Sequence, residues 1–202
     1  MMGELTKGSL QERFQHLLAV IGSQRFLLMK GYTEVPFFIC PFKPTEAVEM
    51  ERLQKQLANK LGQNGVRVLV VNLYDLSVEL LKERGVWEQV LEVESTVSKP
   101  ELLELLQGML DPEAHLIPAI AGLIERNEFD VLFLSGVAEV FPYIRSHNVL
   151  NNLQSTAKDQ PTVMFFPGAY THSLEAGAAL ELFGRLRDDK YYRAFNIFDY
   201  EV

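Results

Sequence analysis

The sequence has very little cysteine, and this scarcity limits its covalent and metal chemistry. A single cysteine, Cys40, occurs among 202 residues. One thiol cannot form an internal disulfide, and it cannot supply a site built from several cysteines. Disulfide-stabilised folds and multi-cysteine metal sites are therefore excluded. The same scarcity favours a reducing compartment, and we expect the protein to be cytoplasmic.

Histidine is also sparse, and its spacing does not indicate a metal site. The four histidines lie at positions 16, 115, 147 and 172. None stands four residues from another, which is the spacing that places two imidazole ligands on one helix face. The sequence therefore predicts no bound metal ion.

Positive charge is in deficit. The chain has 19 Lys and Arg against 27 Asp and Glu, a net charge of -8 and a pI near 5.1. Affinity for nucleic acid depends largely on cations that displace phosphate counterions, so unaided binding to DNA is disfavoured. The mixed stretch from Arg185 to Arg193 is most simply a solvated turn, although its basic residues leave open an indirect association with DNA inside a larger complex.

Long apolar runs are missing as well. No stretch approaches the length that a helix needs to span a bilayer, and the first residues lack the pattern of a signal peptide. We therefore expect no membrane insertion and no export.

What the sequence does contain is an alternation of short apolar runs with stretches of helical periodicity. The runs predict strands at 35–40, 66–72, 130–134, 162–166 and 191–198. Helices are predicted at 10–29, after Thr45 as a cap, through a helical insertion at about 77–127, within 137–160 and at 173–186. This order predicts an α/β fold with three layers: a mostly parallel open sheet with helices on both faces. We expect one domain over residues 1–202.

The run Val66–Asn72 is the clearest predicted strand. It is almost entirely β-branched or leucine, which is typical of a parallel strand covered by helices on both faces. After it, Ser77 is predicted to cap the first helix of the insertion. Ser98 and Asp111 are predicted to start two later helices, because each is followed by a proline or by acidic residues suited to a first turn. In the helix after Ser98, the leucines at 102, 103, 106 and 110 are expected to line the inner side.

The loop after the first predicted strand is the place where a phosphate-binding P-loop would be expected in a nucleotide-binding fold. It reads Cys-Pro-Phe-Lys-Pro-Thr from Cys40 to Thr45. A P-loop needs glycines so that successive backbone N–H groups surround the phosphates, whereas here prolines remove donors and glycine is missing. The fold thus resembles a nucleotide-binding core without a functional P-loop, and we predict no cofactor.

Nucleophilic catalysis also lacks support in the sequence. Cys40 is interpreted as a buried thiol at a strand end rather than as an activated nucleophile. Neither Ser135 nor Ser173 lies in the G-x-S-x-G turn of hydrolases. Asp130 stands at the start of a strand, where it is interpreted as a strand-entry residue and not as a magnesium ligand. We predict no catalytic residue.

Polar side chains follow the predicted third and fourth strands, at the carboxyl edge where open α/β sheets bind their ligands. They can form one cluster able to bind an anion or the side chains of a partner. The alternative interpretation is that these side chains are solvated loop and helix-cap residues. The predicted partner-binding residues are Arg145, His147, Asn148, Asn152, Tyr170, His172 and Glu175.

Several segments together resemble one known family. They are Val35-Pro-Phe-Phe-Ile-Cys-Pro, Asn72-Leu-Tyr-Asp, Leu110-Asp-Pro-Glu, the stretch Phe141–Asn152 and Phe165-Phe-Pro-Gly. The chain resembles the BrxB family of the BREX bacteriophage-resistance systems over nearly its whole length. The resemblance implies a cytoplasmic bacterial defence protein that works beside a DNA methyltransferase, a large ATPase and the phosphatase-like protein PglZ. It implies no established catalytic activity.

The sequence as a whole therefore favours a non-enzymatic interaction subunit. We expect its carboxyl edge or an exposed helix to bind another BREX protein, with PglZ as the leading candidate. The alternative is a regulatory nucleotide- or anion-binding domain, or an enzyme, that uses the polar edge after the third and fourth strands.

Overall fold

The computed structural model describes residues 8–28, 37–153, 156–173, 177–189 and 194–200. The strands in these ranges are β1 (Phe37–Phe42), β2 (Val68–Asn72), β3 (Val131–Ser135), β4 (Thr162–Ser173), β5 (Gly177–Leu182), β6 (Leu186–Asp189) and β7 (Ala194–Asn196). The α-helices are α1 (Leu10–Ile21), α2 (Gln24–Leu27), α3 (Ala47–Gln63), α4 (Leu73–Glu83), α5 (Trp87–Glu94), α6 (Lys99–Met109), α7 (Ile117–Arg126) and α8 (Ser146–Leu153). A π-helical turn at Pro112–Leu116 precedes α7, and 3-10 turns occur at Pro44–Glu46 and Ile197–Asp199.

Five strands form an open parallel sheet in the order β2-β3-β4-β1-β7. The central pair is β1 and β4, which are in register from Phe37 opposite Thr162 to Phe42 opposite Pro167. From Gly168 onward β4 leaves its parallel neighbours and pairs antiparallel with β5, which pairs in turn with β6. The predicted α/β fold, with a mostly parallel open sheet between helices, is confirmed.

Alternate side chains of the sheet face two separate cores, as the two-residue period of a strand requires. Phe38 and Cys40 of β1 belong to the core under α1 and α3, together with Phe133 and Phe165 of the neighbouring strands. The core on the other face contains the interleaved strand residues Phe37, Ile39, Leu132, Leu134, Met164 and Phe166. That second core is covered by residues from α4, α7 and α8.

Local capping explains several helix starts. Ser98 accepts a hydrogen bond from the Glu101 N–H while the Glu101 side chain accepts from the Ser98 N–H, which is a capping box at α6. Asp111 accepts from the Ala114 N–H at the start of the π-helical turn. Both predicted starts are confirmed.

Two predicted caps are wrong. The helix assigned to Ser77 begins five residues earlier, because Asn72 at the end of β2 is its cap and accepts hydrogen bonds from the Tyr74 and Asp75 N–H groups. Ser77 is inside α4 and donates to the Leu73 carbonyl at 2.6 Å. Thr45 lies within the 3-10 turn, and α3 starts after it at Ala47.

The helix predicted at 173–186 is also wrong. In its described part this segment contains β5 and the first residue of β6, and β4 runs to Ser173 rather than ending at Phe166; residues 174–176 fall outside the described ranges. Short apolar runs are compatible with either structure, so the antiparallel pairing with the extended β4 decides the outcome. Gly168 permits this pairing, since a Cβ there would lie 2.0 Å from the Glu181 carbonyl oxygen.

Two other boundaries and the surroundings of one strand differ from the prediction. The first helix stops at Ile21, where Ser23 caps the short α2, and Met29 lies outside the described residues. The last strand ends at Asn196, before the 3-10 turn at Ile197–Asp199, and its predicted start at 191–193 falls outside the described ranges. Strand β2 is not covered on both faces but lies at the edge of the sheet, where Val70 is 48% exposed.

Candidate functional site

A cleft opens at the carboxyl edge of β1, β2 and β3, and we call it the carboxyl-edge cleft. Its volume is about 360 Å³. Open α/β sheets bind ligands at this edge because the loops after parallel strands meet there. Its walls include the polar or charged residues Glu51, Gln54, Asn72, Tyr74, Asp75, Ser135 and Glu139.

The floor of the cleft requires glycine at one position. Gly136, directly after β3, has φ +74°, and a Cβ there would lie 2.2 Å from the Asn72 side-chain oxygen. That oxygen is the cap of α4. Gly136 therefore lets the end of β3 approach the first turn of α4.

The charge of the carboxyl-edge cleft is negative. Glu51, Asp75 and Glu139 line it, and none of its described lining residues is Lys, Arg or His. The Glu51 carboxylate also forms a salt bridge with Lys55, which does not line the cleft; the Nζ–Oε1 distance is 2.6 Å. A cluster of carboxylates repels phosphate and other anions, so this cleft is electrostatically suited to neutral or cationic groups.

A carboxylate also occupies the loop that was tested for a P-loop. Arg13, with a side chain only 2% exposed, donates two hydrogen bonds of 2.9 Å to the carboxylate of Glu46, which precedes α3. The hydrogen bonds from Arg13 hold the pKa of Glu46 below its ordinary value. The charge at the start of α3 is thus supplied by the chain itself.

The two residues considered for catalysis, Cys40 and Asp130, are a buried thiol and a carboxylate that is hydrogen-bonded to an arginine. Cys40 is completely buried, and burial raises the pKa of its thiol to about 12, which disfavours the reactive thiolate. Asp130 lies at the opposite edge of the sheet, where it accepts hydrogen bonds from the Arg67 backbone and guanidinium. The interpretation of Asp130 as a strand-entry residue is confirmed.

The predicted partner-binding residues do not all reach the surface. Arg145 is exposed just before α8, whereas His147 is only 5% exposed and Asn148 is half-buried. Asn152 donates to the Asn148 carbonyl at 2.9 Å.

The remaining members of that set lie on or beyond β4. Tyr170 is buried and donates to the Ala194 carbonyl at 2.7 Å, and burial raises its pKa to about 12. His172 is paired in register with Ala178, and Glu175 falls outside the described residues. A role of these residues in partner binding stays a prediction.

Helix α6 departs most clearly from expectation. Its leucines were predicted to face inward, but no residue of α6 is buried. Among the described residues of this helix, Leu106 and Met109 pack against the core, while Leu102 and Leu103 remain half-buried outside it. Leu110, just after the helix, is the one predicted inner leucine that is fully enclosed, at 1% exposure. The Arg84 guanidinium donates to the Met109 carbonyl and fixes this end to α4.

The exposed side of α6 forms one wall of an apolar groove, which we call the α6 groove. Its volume is about 490 Å³. The groove is lined by Lys99, Pro100, Leu102, Leu103, Leu106, Pro142 and Tyr143. The sequence showed the leucine stripe but gave no signal that Leu102 and Leu103 would remain half-buried outside the core.

Known proteins match this chain over most of its length. A family model described as BREX protein BrxB matches residues 69–197. A BREX protein BrxB of Bacillus cereus (strain H3081.97) is 31% identical over 195 residues, which cover 94% of this chain and 98% of that relative. The chain belongs to the BrxB family. A BrxB of Escherichia coli O9:H4 (strain HS) is 26% identical over 189 residues, covering 93% of this chain and 91% of its own length.

Membership of the BrxB family makes the chain a component of a BREX system and gives it a part in anti-phage defence. No solved structure matches it significantly. In the described ranges, no helix combines the length and the apolar character that crossing a membrane requires. The same ranges contain no group of three or more His, Cys, Asp or Glu side chains placed to hold a metal ion.

Proposed function

We propose that this BrxB-family protein is a non-catalytic interaction subunit of a cytoplasmic BREX assembly, and that its direct partner is PglZ. The observation that carries the proposal is the α6 groove. An amphipathic helix with no buried residue leaves apolar surface in water, and apolar surface concentrated in one groove is typical of a protein-binding site.

The chemistry of the other groups supports a binding role. The only thiol is buried with a raised pKa, and the carboxylates Glu46 and Asp130 are engaged by Arg13 and Arg67. These arrangements hold the fold together and do not expose an activated nucleophile. Binding without chemistry is the simpler use of such a surface.

The test is a calorimetric titration of the full chain with purified PglZ from the same system, in the presence and absence of ATP. We expect saturable binding that does not depend on ATP. The DNA methyltransferase component, titrated in the same way, provides the comparison. If PglZ bound neither in the presence nor in the absence of ATP, the proposal would be contradicted.

The alternative of a nucleotide- or anion-binding domain has less support. The carboxyl-edge cleft has a suitable position, but its carboxylates oppose a phosphate-bearing ligand. This alternative predicts saturable binding of ATP or phosphate that Arg145→Ala and His172→Ala both weaken. If both variants kept the affinity of the unaltered chain, that site assignment would fail.

A further inference from the structure

The carboxyl-edge cleft contains one polar side chain that the fold leaves unsatisfied. Gln54, on the buried face of α3, lines the cleft and is only 6% exposed. Its side-chain amide nitrogen is buried and has no hydrogen-bond partner among the described residues. Buried amides in folded proteins are almost always hydrogen-bonded, so an unpartnered one in the wall of a cleft points to an acceptor on a bound ligand.

The polar residues of the cleft change in character from the inside to the outside. Asn72 and Ser135, which are register partners at the ends of β2 and β3, are half-buried and uncharged. Glu51, Asp75 and Glu139 line the same cleft and are exposed. The cleft therefore has an uncharged polar interior and an acidic mouth.

We infer that the carboxyl-edge cleft binds a small hydroxylated amine, the class to which amino sugars belong. Hydroxyl groups suit the interior, because each can accept a hydrogen bond from an amide N–H and donate one to a side-chain oxygen. A protonated amine suits the mouth, because the carboxylates attract it. This site is separate from the α6 groove, and the inference does not depend on the proposed contact with PglZ.

Other small ligands fit the cleft less well. The carboxylates would repel a phosphorylated ligand. An entirely apolar ligand would displace water from the polar walls and leave the Gln54 amide without an acceptor. A metal ion needs ligands that converge on one point, and the part of the chain that the structure describes contains no such group of three or more His, Cys, Asp or Glu side chains.

The volume of the cleft limits the size of the ligand. At about 360 Å³ it is near the lower end of the range for small-molecule sites. A single sugar-sized ring or a short chain is therefore the expected ligand.

The experiment compares three ring compounds that separate the two requirements. At about pH 6.5, D-glucosamine has hydroxyls and a protonated amine, D-glucose has hydroxyls alone, and cyclohexylamine has the protonated amine alone. Each compound is titrated into the isotope-labelled full chain, and the backbone amide shifts are followed by NMR.

We expect D-glucosamine to bind saturably, with a Kd on the order of 1 mM for a ligand of this size, and to shift the resonances of residues that line the cleft. D-glucose and cyclohexylamine should each bind at least about fivefold more weakly, because each satisfies only one part of the site.

Two variants test the interior and the mouth separately. Gln54→Leu removes the amide but keeps a side chain of similar size, and Glu139→Gln removes one charge. The matched controls are Gln56→Leu and Glu49→Gln, which change exposed residues of α3 that do not line the cleft. Circular dichroism and thermal melts show whether each variant is folded.

The two variants should affect different ligands. Gln54→Leu should weaken D-glucosamine and D-glucose by about fivefold or more and leave cyclohexylamine within about twofold, because only the hydroxyls use the amide. Glu139→Gln should weaken D-glucosamine and cyclohexylamine by about threefold and leave D-glucose within about twofold, because only the cations use the charge. Both controls should bind all three compounds as the unaltered chain does.

Several results would overturn the inference. These are no saturable binding of D-glucosamine, equal or tighter binding of D-glucose or cyclohexylamine, and shifts confined to residues outside the cleft. Controls that weaken binding as much as the cleft variants would also overturn it. If Gln54→Leu does not fold, Glu139→Gln and the comparison of the three compounds decide the assignment. The titration with PglZ is a separate measurement, so the proposed function stands or fails independently.

Discussion

Helices α3 and α6 have similar leucine stripes but very different surroundings. Helix α3 lies across one face of the sheet and buries Met50, Leu53, Gln54, Leu57 and Leu61. Helix α6 lies outside α4 and α5, with which it shares a second cavity, and it buries no residue. Apolar periodicity thus predicts which face of a helix is apolar. The neighbouring elements decide whether that face is buried and stabilises the fold or remains available for a partner.

The largest expected effect comes from removing a leucine on the α3 side. Leu57 is 0% exposed, so Leu57→Ala should lower the free energy of unfolding by about 2–5 kcal/mol through lost burial and a residual cavity. The matched change Leu103→Ala on α6 should lower it by less than about 1 kcal/mol, since that side chain is already half-solvated. Urea denaturation measures both. Equal losses would show that α6 is as much a part of the core as α3.

The buried ion pair beneath α3 should give the next largest effect. Glu46→Gln leaves the Arg13 cation almost completely buried without its counter-charge, and we expect a loss of about 2–3 kcal/mol, reduced from the fully buried case because Glu46 is 25% exposed. Glu51→Gln breaks a solvent-exposed pair with Lys55 and should cost about 0.5 kcal/mol or less. A similar cost for both would contradict a structural role for Arg13.

The contribution of Glu46 should also depend on pH. Its pKa is lowered in the folded protein by the hydrogen bonds from Arg13, so the carboxylate stabilises the fold above its ordinary pKa of 4.5. This stabilisation is lost as the pH falls through the lowered pKa. The difference in unfolding free energy between the unaltered chain and Glu46→Gln should therefore be constant near neutral pH and shrink below about pH 4.5. A difference that stayed constant down to pH 2 would contradict the assignment.

The smallest effect is expected from the helix caps, where the two sides can be compared directly. Ser9 and Ser98 form the same capping box, at α1 and α6 respectively. Each change to alanine should remove about 1 kcal/mol of local helix stability. For Ser9→Ala this should appear in global unfolding, because α1 contains buried residues. For Ser98→Ala it should appear as faster hydrogen exchange near Leu102 with little change in global stability.

Those parts of the fold that depend on local signals were predictable. The strands with continuous apolar character, the starts at Ser98 and Asp111 and the sandwich of helices around a parallel sheet all follow from short-range patterns. The caps assigned to Ser77 and Thr45 failed by a few residues, because Asn72 offers an earlier cap and Pro44 starts a 3-10 turn. The helix predicted at 173–186 was wrong, because the structure of that segment depends on pairing with β4, which continues past Phe166.

The candidate surfaces were predictable only in part. The polar strand endings at Asn72 and Ser135 were visible in the sequence, yet their junction into one cleft depends on the close approach that Gly136 allows. The inner leucines assigned to α6 carried no sign of their exposure. Whether a leucine is enclosed is a property of the elements packed around it, which one helix cannot encode by itself.

A single continuous strand, β4, pairs both with the parallel sheet and with the β5–β6 hairpin. Its first half is hydrogen-bonded between β1 and β3, and its second half holds β5. The β5–β6 hairpin is thus joined to the centre of the sheet through the hydrogen-bonded backbone of β4 itself.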